Sequence, residues 1–149
     1  MGLLAAATVS TTSAATTSAA TTPAAAPARH RALNPSTVSY CQAHEVSGHA
    51  RLLFISGQVP ADADGQVPAD FKAQCRLAWA NVRAQLKAAD MTLDDLVKVT
   101  VFLADRRHRQ ANYEVRHEIL GARSPALTII ITGIYDQAWL LEIEAVAAA

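Results

Sequence analysis

The chain has 149 residues, enough for one domain of ordinary size and too few for a two-domain enzyme. Lysine plus arginine number 13 and so do aspartate plus glutamate, so the formal charge is zero and no whole-chain field would draw in nucleic acid or an anionic membrane. Cys41 and Cys75 lie far apart without CxxC spacing, so nothing suggests a disulfide framework, and no apolar run approaches the ~20 residues needed to span a bilayer; a soluble protein of the reducing cytoplasm is expected.

The first segment differs in kind from the rest. From Met1 to about Leu33 it is dominated by Ala, Thr, Ser and Pro, with no large apolar residue between Val9 and Leu33, and it lacks the basic start of a signal peptide. Residues 1–36 are therefore expected to be a disordered leader, and residues 37–149 the folded domain.

From Thr37 the pattern becomes globular. Val38 to Val46 reads as a strand, Ser47-Gly48 as a turn, and Arg51 to Ser56 as a second strand, together predicting a hairpin. Pro60 ends the second strand and Asp64-Gly65 marks a tight turn. Between Asp70 and Asp90 the apolar positions Phe71, Cys75, Ala78, Trp79, Val82, Leu86 and Ala89 recur at steps of three and four, the stripe of an amphipathic helix, with Lys72, Arg76, Arg83 and Lys87 on its wet side.

Thr92-Leu93-Asp94-Asp95 has the form of a capping box opening a short helical turn. It feeds Val97 to Leu103, rich in β-branched residues and read as a third strand. Asp105 is placed to cap a second helix, whose apolar positions Ala111, Val115, Ile119 and Leu120 step by about four, and Pro125 stops it. Two more strands follow, Leu127 to Thr132 and Trp139 to Ala147, giving the order ββαβαββ.

The last strand carries two glutamates inside an apolar run. Alternation puts Leu140, Glu142, Glu144 and Val146 on one face, with the carboxylates roughly 7 Å apart. A carboxylate in apolar surroundings has its charged form disfavoured, one way to prepare a general acid or base near neutral pH, whereas a half-wet edge strand would need no such explanation. Helices between strands of a mixed sheet predict an α+β layer with helices on one sheet face. Neither side of the Leu127–Thr132 strand is polar enough to be left wet, so the other face is expected to be buried against further copies of the chain.

Phe54-Ile55-Ser56-Gly57-Gln58-Val59-Pro60, then Gln74, Asn81, Lys98-Val99-Thr100-Val101-Phe102 and finally Glu142-Ile143-Glu144-Ala145 together resemble the Rid family, the reactive intermediate deaminases also known as YjgF/YER057c/UK114 or endoribonuclease L-PSP proteins. The likeness runs from Tyr40 to Ala147. It implies a chorismate-mutase-like fold, a homotrimer in which three sheets form an inner barrel, and small-molecule ligands held in clefts between subunits. It also implies hydrolysis of reactive enamines and imines to a keto acid and ammonia, with no metal and no organic cofactor.

Residue by residue, the resemblance makes Glu142 the group that activates or positions water. Ser56 and Gly57 would line the cleft, Tyr40 would cover the ligand, and Asn112 would touch it from the following helix. The family's Pro-Ala-Arg-Ser element places a carboxylate-binding arginine fifteen residues before the first glutamate of Glu-Ile-Glu; 142 minus 15 falls on Leu127, within Pro125-Ala126-Leu127-Thr128. The arginine is missing, and Ile129 stands where many deaminating members carry a cysteine. Leucine cannot offer the bidentate fork of a guanidinium, so a 2-imino acid is expected to bind poorly unless nearby Arg123 substitutes.

Other chemistries have less support. His30, His44, His49, His108 and His117 have no HExxH or CxxC companion, and no Gly-rich phosphate loop follows a strand. Arg106-Arg107-His108-Arg109, with Arg116, is a basic knot without interleaved aromatics in a neutral chain, read as a solvated helix start and not as an RNA surface. The expectation is an enamine or imine hydrolase whose substrate needs no carboxylate clamp, with a noncatalytic trimeric binding module as the alternative and a ribonuclease as the weaker one.

Overall fold

Alternation, helical stripes and caps assemble into one sheet with two helices in a computed structural model that describes residues 28–149. The elements are β1 (Arg29–Pro35), β2 (Cys41–Ser47), β3 (Leu52–Gln58), α1 (Phe71–Ala88), a 3-10 turn (Leu93–Asp95), β4 (Leu96–Leu103), a second such turn (Arg106–His108), α2 (Arg109–Leu120), β5 (Ala126–Ile131) and β6 (Leu141–Ala148). The six strands lie in the order β1-β2-β5-β4-β6-β3. β5 runs parallel to both β2 and β4, and the remaining pairs are antiparallel.

Two expectations change. β1 falls inside the segment 1–36 assigned to the leader, so the folded part begins before Thr37; residues 1–27 lie outside the described residues. With only Leu33 as a large apolar residue, β1 gives almost no hydrophobic signal. Main-chain pairing with β2, from Arg29 opposite Ser47 to Pro35 opposite Cys41, makes it a strand. The predicted hairpin is also absent: β2 pairs with β1 and β5, whereas β3 lies at the opposite edge beside β6. The Ala50 and Arg51 N–H groups both donate to the Ala149 carbonyl at 2.8 Å, which carries the chain after the Gly48 turn to that far edge.

The helical elements follow the sequence closely. The Asp70 carboxylate accepts from the Ala73 N–H at 3.0 Å and opens α1, whose face of Phe71, Cys75, Ala78, Trp79, Val82 and Leu86 is buried. Thr92 and Asp95 form the reciprocal capping box, and Asp105 caps the turn that leads into α2 instead of α2 itself. Gly121, at φ +56°, ends α2.

β6 alternates cleanly. Leu141, Ile143, Ala145 and Ala147 are buried with the helices, and Glu142, Glu144 and Val146 point to the other face. That open face carries exposed Phe54 (74%), Leu52 and Ile130 beside half-buried Phe102. Val99, Val101 and Leu103 of β4 face the helices, and their register partners Leu127, Ile129 and Ile131 of β5 share that side. Cys41 and Cys75 are free thiols and buried, and burial pushes the Cys75 thiol up to about 12, leaving it a protonated core group.

Candidate functional site

The register of β3 against β6 builds the first half of the site. Ile55 pairs with Ala145 and Gln58 with Ile143, so Ser56 and Gly57 together stand opposite a single residue, Glu144, in a β-bulge. The bulge brings the Gly57 backbone beneath Glu142. A Cβ at residue 57 would lie 1.6 Å from Glu142 Oε1, so only glycine leaves room for the carboxylate. Glu142 is half-buried and makes no hydrogen bond or ion pair among the described residues. Ser56 is exposed on the same bulge.

Two side-chain amides, that of buried Gln74 and that of half-buried Asn81, hold this arrangement. Gln74, on α1, donates to the carbonyls of Pro68 (2.8 Å) and Ala138 (3.0 Å) and accepts from the Leu140 N–H (2.8 Å), which fixes the chain two residues ahead of Glu142. Asn81 donates to the carbonyls of Val59 (2.9 Å) and Ala61 (3.0 Å), fixing the chain just beyond Gly57. Each polar group replaces hydrogen bonds that the loop backbone would otherwise lack.

The second half lies on the helical side of the sheet. A cleft of about 690 Å³ is bordered by Val38 and Tyr40 from the approach to β2, by Ile129 and Ile131 of β5, and by Arg106, Arg107, Arg109, Gln110, Asn112, Tyr113 and Arg116 around α2. Tyr40, Asn112 and Ile129 are thus brought together, with Leu127 half-buried on the same side of β5. Glu142, Ser56 and Gly57 are not with them: within one chain the predicted residues divide between opposite faces of the sheet. Arg123 joins neither group. Its guanidinium donates to both carboxylate oxygens of Asp94, at 2.7 and 3.3 Å, against the turn that precedes β4.

The basic knot also separates. Arg106, Arg107 and Arg109 are exposed at the cleft rim, but Arg116 is 3% exposed. Burial pushes its guanidinium below the usual arginine range. Arg116 therefore does not belong to the solvated helix start expected for the basic knot; the sequence signal for its burial is its place four residues after Asn112 and beside Val115, on the inward face of α2.

A sequence profile of the family described as Endoribonuclease L-PSP matches residues 30–149. The chain belongs to this family, the Rid proteins. A RutC family protein of Pyrococcus horikoshii is 39% identical over 97 residues, covering 64% of this chain and 77% of its own. The 2-iminobutanoate/2-iminopropanoate deaminase of Escherichia coli is 35% identical over 100 residues, covering 64% and 78%. Among solved structures, the Rid family protein YyfB from Yersinia pestis superposes with a TM-score of 0.71 at 26% identity, covering 80% of this chain and 98% of that one. The match to the Rid profile begins at His30, inside β1, in agreement with the earlier start of the folded part.

Proposed function

We propose that this Rid protein hydrolyses a reactive enamine, imine or related carbonyl compound, with Glu142 as the proton-transferring group. The observation that carries the reading is the Glu142 carboxylate itself: half-buried, seated over Gly57 and unengaged by any cation or donor among the described residues. A structural carboxylate in that position would satisfy backbone donors or pair with a base. This one is left available for water or substrate.

The chemistry follows from that availability. Glu142 takes a proton from water as the oxygen adds to the C=N carbon of the imine, and the proton passes to nitrogen as the tetrahedral adduct forms. Glu142 then carries the hydroxyl proton of the adduct to the same nitrogen as the C–N bond breaks, so that ammonia leaves and C=O forms in the carbonyl compound. An enamine enters the same sequence after tautomerising to the imine. The names of the deaminase relatives support this class of reaction.

Division of the residues between two faces supports assembly. A single copy offers Glu142 with Ser56-Gly57 on one face and the Tyr40–Asn112 cleft on the other, and exposed Phe54, Leu52 and Ile130 supply apolar surface for burial against further copies. A homotrimer with the open faces turned inward, as a cytoplasmic small-molecule enzyme, is the arrangement we infer; one copy's cleft would then be completed by another's Glu142. The aliphatic Leu127 and Ile129 favour a substrate other than the usual 2-imino acids held at position 127.

Imine decay followed with wild type, with Glu142→Gln and without protein tests the reading. Wild type should release ammonia about 100-fold or more faster than Glu142→Gln. Equal decay in all three samples would end it, and a ligand that stabilises the protein yet is recovered unchanged would point to a binding module.

A further inference from the structure

Ser39 is 3% exposed, although it lies in the connection between β1 and β2. Its hydroxyl donates to the carbonyl of Gly121, just beyond α2, at 2.8 Å, and stands 2.7 Å from His117 Nδ1 in the last turn of that helix. A carbonyl can only accept, so the hydroxyl proton is committed to Gly121 and the imidazole supplies the second hydrogen bond, donating from Nδ1 to the Ser39 oxygen. The buried hydroxyl is thus satisfied both as donor and as acceptor, and the connection is tied to the end of α2.

Tyr40, the next residue, is half-buried on the border of the 690 Å³ cleft. Beyond it the Cys41 N–H donates to the Pro125 carbonyl at 3.1 Å, just ahead of β5. The Ser36 N–H and hydroxyl both donate to the Tyr40 carbonyl, at 3.0 and 2.9 Å, and close the connection into a tight turn. The turn that carries Tyr40 is therefore fastened to β5 through Cys41 and to α2 through Ser39.

Open space lies on both sides of that turn. A second cavity of about 330 Å³ is bordered by Ser36, Thr37, Ser39, His117 and Ser124, and Val38 borders both this cavity and the cleft. Packing holds a segment weakly where there is space on each side of it, which leaves the polar attachment to set its position. His117 bears on the cleft by a second route. Its ring lies parallel to that of Tyr113, with centres 6.0 Å apart, and Tyr113 is a cleft residue too.

We propose that Ser39 and His117 are positioning residues, whose hydrogen bond latches the Val38–Tyr40 partition to α2 and so sets the seat of Tyr40 over the substrate. The proposal rests on the hydrolase reading for the substrate that Tyr40 covers, and on the two hydrogen bonds and two cavities for the latch. Neither residue touches the reacting atoms. With the latch open, the partition gives way toward the 330 Å³ cavity and Tyr40 loses its hold on the substrate, while proton transfer at Glu142 is unaffected. Binding shared by ground and transition states is lost, which raises KM and leaves kcat in place.

Fluorotyrosine labelling of the full chain tests the latch without a ligand. The label enters Tyr40, Tyr113 and Tyr135, and Tyr40→Phe assigns the first of these signals. In Ser39→Ala and in His117→Gln the fluorine resonance of Tyr40 should shift, while that of Tyr135, between β5 and β6, stays where it is. His117→Asn should keep the wild-type resonance, because an asparagine amide nitrogen reaches the place of Nδ1 whereas a glutamine amide reaches that of Nε2. A Tyr40 resonance unmoved in Ser39→Ala and His117→Gln, or moved equally by Asn and Gln at residue 117, overturns the latch. His117 is exposed, so its variants carry the test should Ser39→Ala fail to fold.

Kinetics with benzophenone imine, a neutral N–H ketimine, separate positioning from plain stability. Ser39→Ala and His117→Gln should raise KM about fivefold or more with kcat within about twofold of wild type, and His117→Asn should restore KM. An unchanged KM, or a loss confined to kcat, overturns the positioning role. The two readings fail separately. A Tyr40 resonance that follows the latch without imine turnover by wild type ends the hydrolase and leaves the latch; turnover with resonance and KM both unmoved does the reverse.

Discussion

Glu142 Oε1 occupies the space in which a side chain at residue 57 would begin, 1.6 Å from an ideal Cβ there. Gly57 therefore sets where the carboxylate lies, through volume alone and not through an unusual φ. Gly57→Ala should fold, because it is half-buried at an edge-strand bulge, yet displace the carboxylate by an ångström or more. Imine hydrolysis should drop about 100-fold with a small change in melting temperature; wild-type turnover in this variant would detach Glu142 from the chemistry.

Phe54, 74% exposed on the open sheet face, stands beside Val146 in the β3–β6 register. Phe54→Glu should leave the circular dichroism spectrum of the chain unchanged. Sedimentation should then find a lower mass than for wild type, because a charge replaces apolar surface that the proposed assembly buries between copies. Identical masses for the two would remove the sheet face from the assembly.

His108 stacks on Phe71 with ring centres 4.4 Å apart, and its Nε2 is buried without a partner. Burial, with the Arg107 charge adding to it and Asp105 opposing, holds the imidazole below its usual 6.5. The unfolded chain then takes up a proton that the folded chain resists, so this contribution to stability is present above pH 6.5 and is lost as the pH falls below it through the lowered value. Melting temperatures measured across that range should decline toward acid, and His108→Gln should flatten the decline. The carboxylates of Asp105, Glu114 and Glu118 are held below their usual values and act at more acid pH, so the two effects separate.

The Asp70 carboxylate caps α1, the helix whose Gln74 ties down the approach to Glu142. Asp70→Ala should cost about 1 kcal/mol and lower the melting temperature by about 4 °C, with Asp70→Ser close to wild type. Calorimetry of the three proteins checks the ranking; an unaltered melting temperature in Asp70→Ala would mean that the helix start is held by packing alone.

What the sequence determined by itself were the features written into local periodicity and local hydrogen-bond chemistry. The stripe from Phe71 to Leu86, the capping box at Thr92 and Asp95, and the alternation that turns Glu142 away from the core all depend on neighbours within a few residues. The family, too, was legible, because the order and spacing of Ser56-Gly57-Gln58, Gln74, Asn81 and Glu142 survive in the chain.

Only the tertiary structure decided which strand lies beside which. The local pattern gives no sign of β1 and points to β3 as the partner of β2, because an apolar strand does not specify its neighbour until the whole sheet competes for it, and a polar edge strand declares itself only through backbone pairing. The same holds for Arg116: within its sequence neighbourhood it is one of several basic residues on a helix, and its character comes from burial near Cys75 and from Tyr40 and the β5 isoleucines that border the same cleft. Burial, and the lack of a counter-charge among the described residues, are properties of distant segments brought together, which is why the state of this guanidinium is visible only in the folded chain.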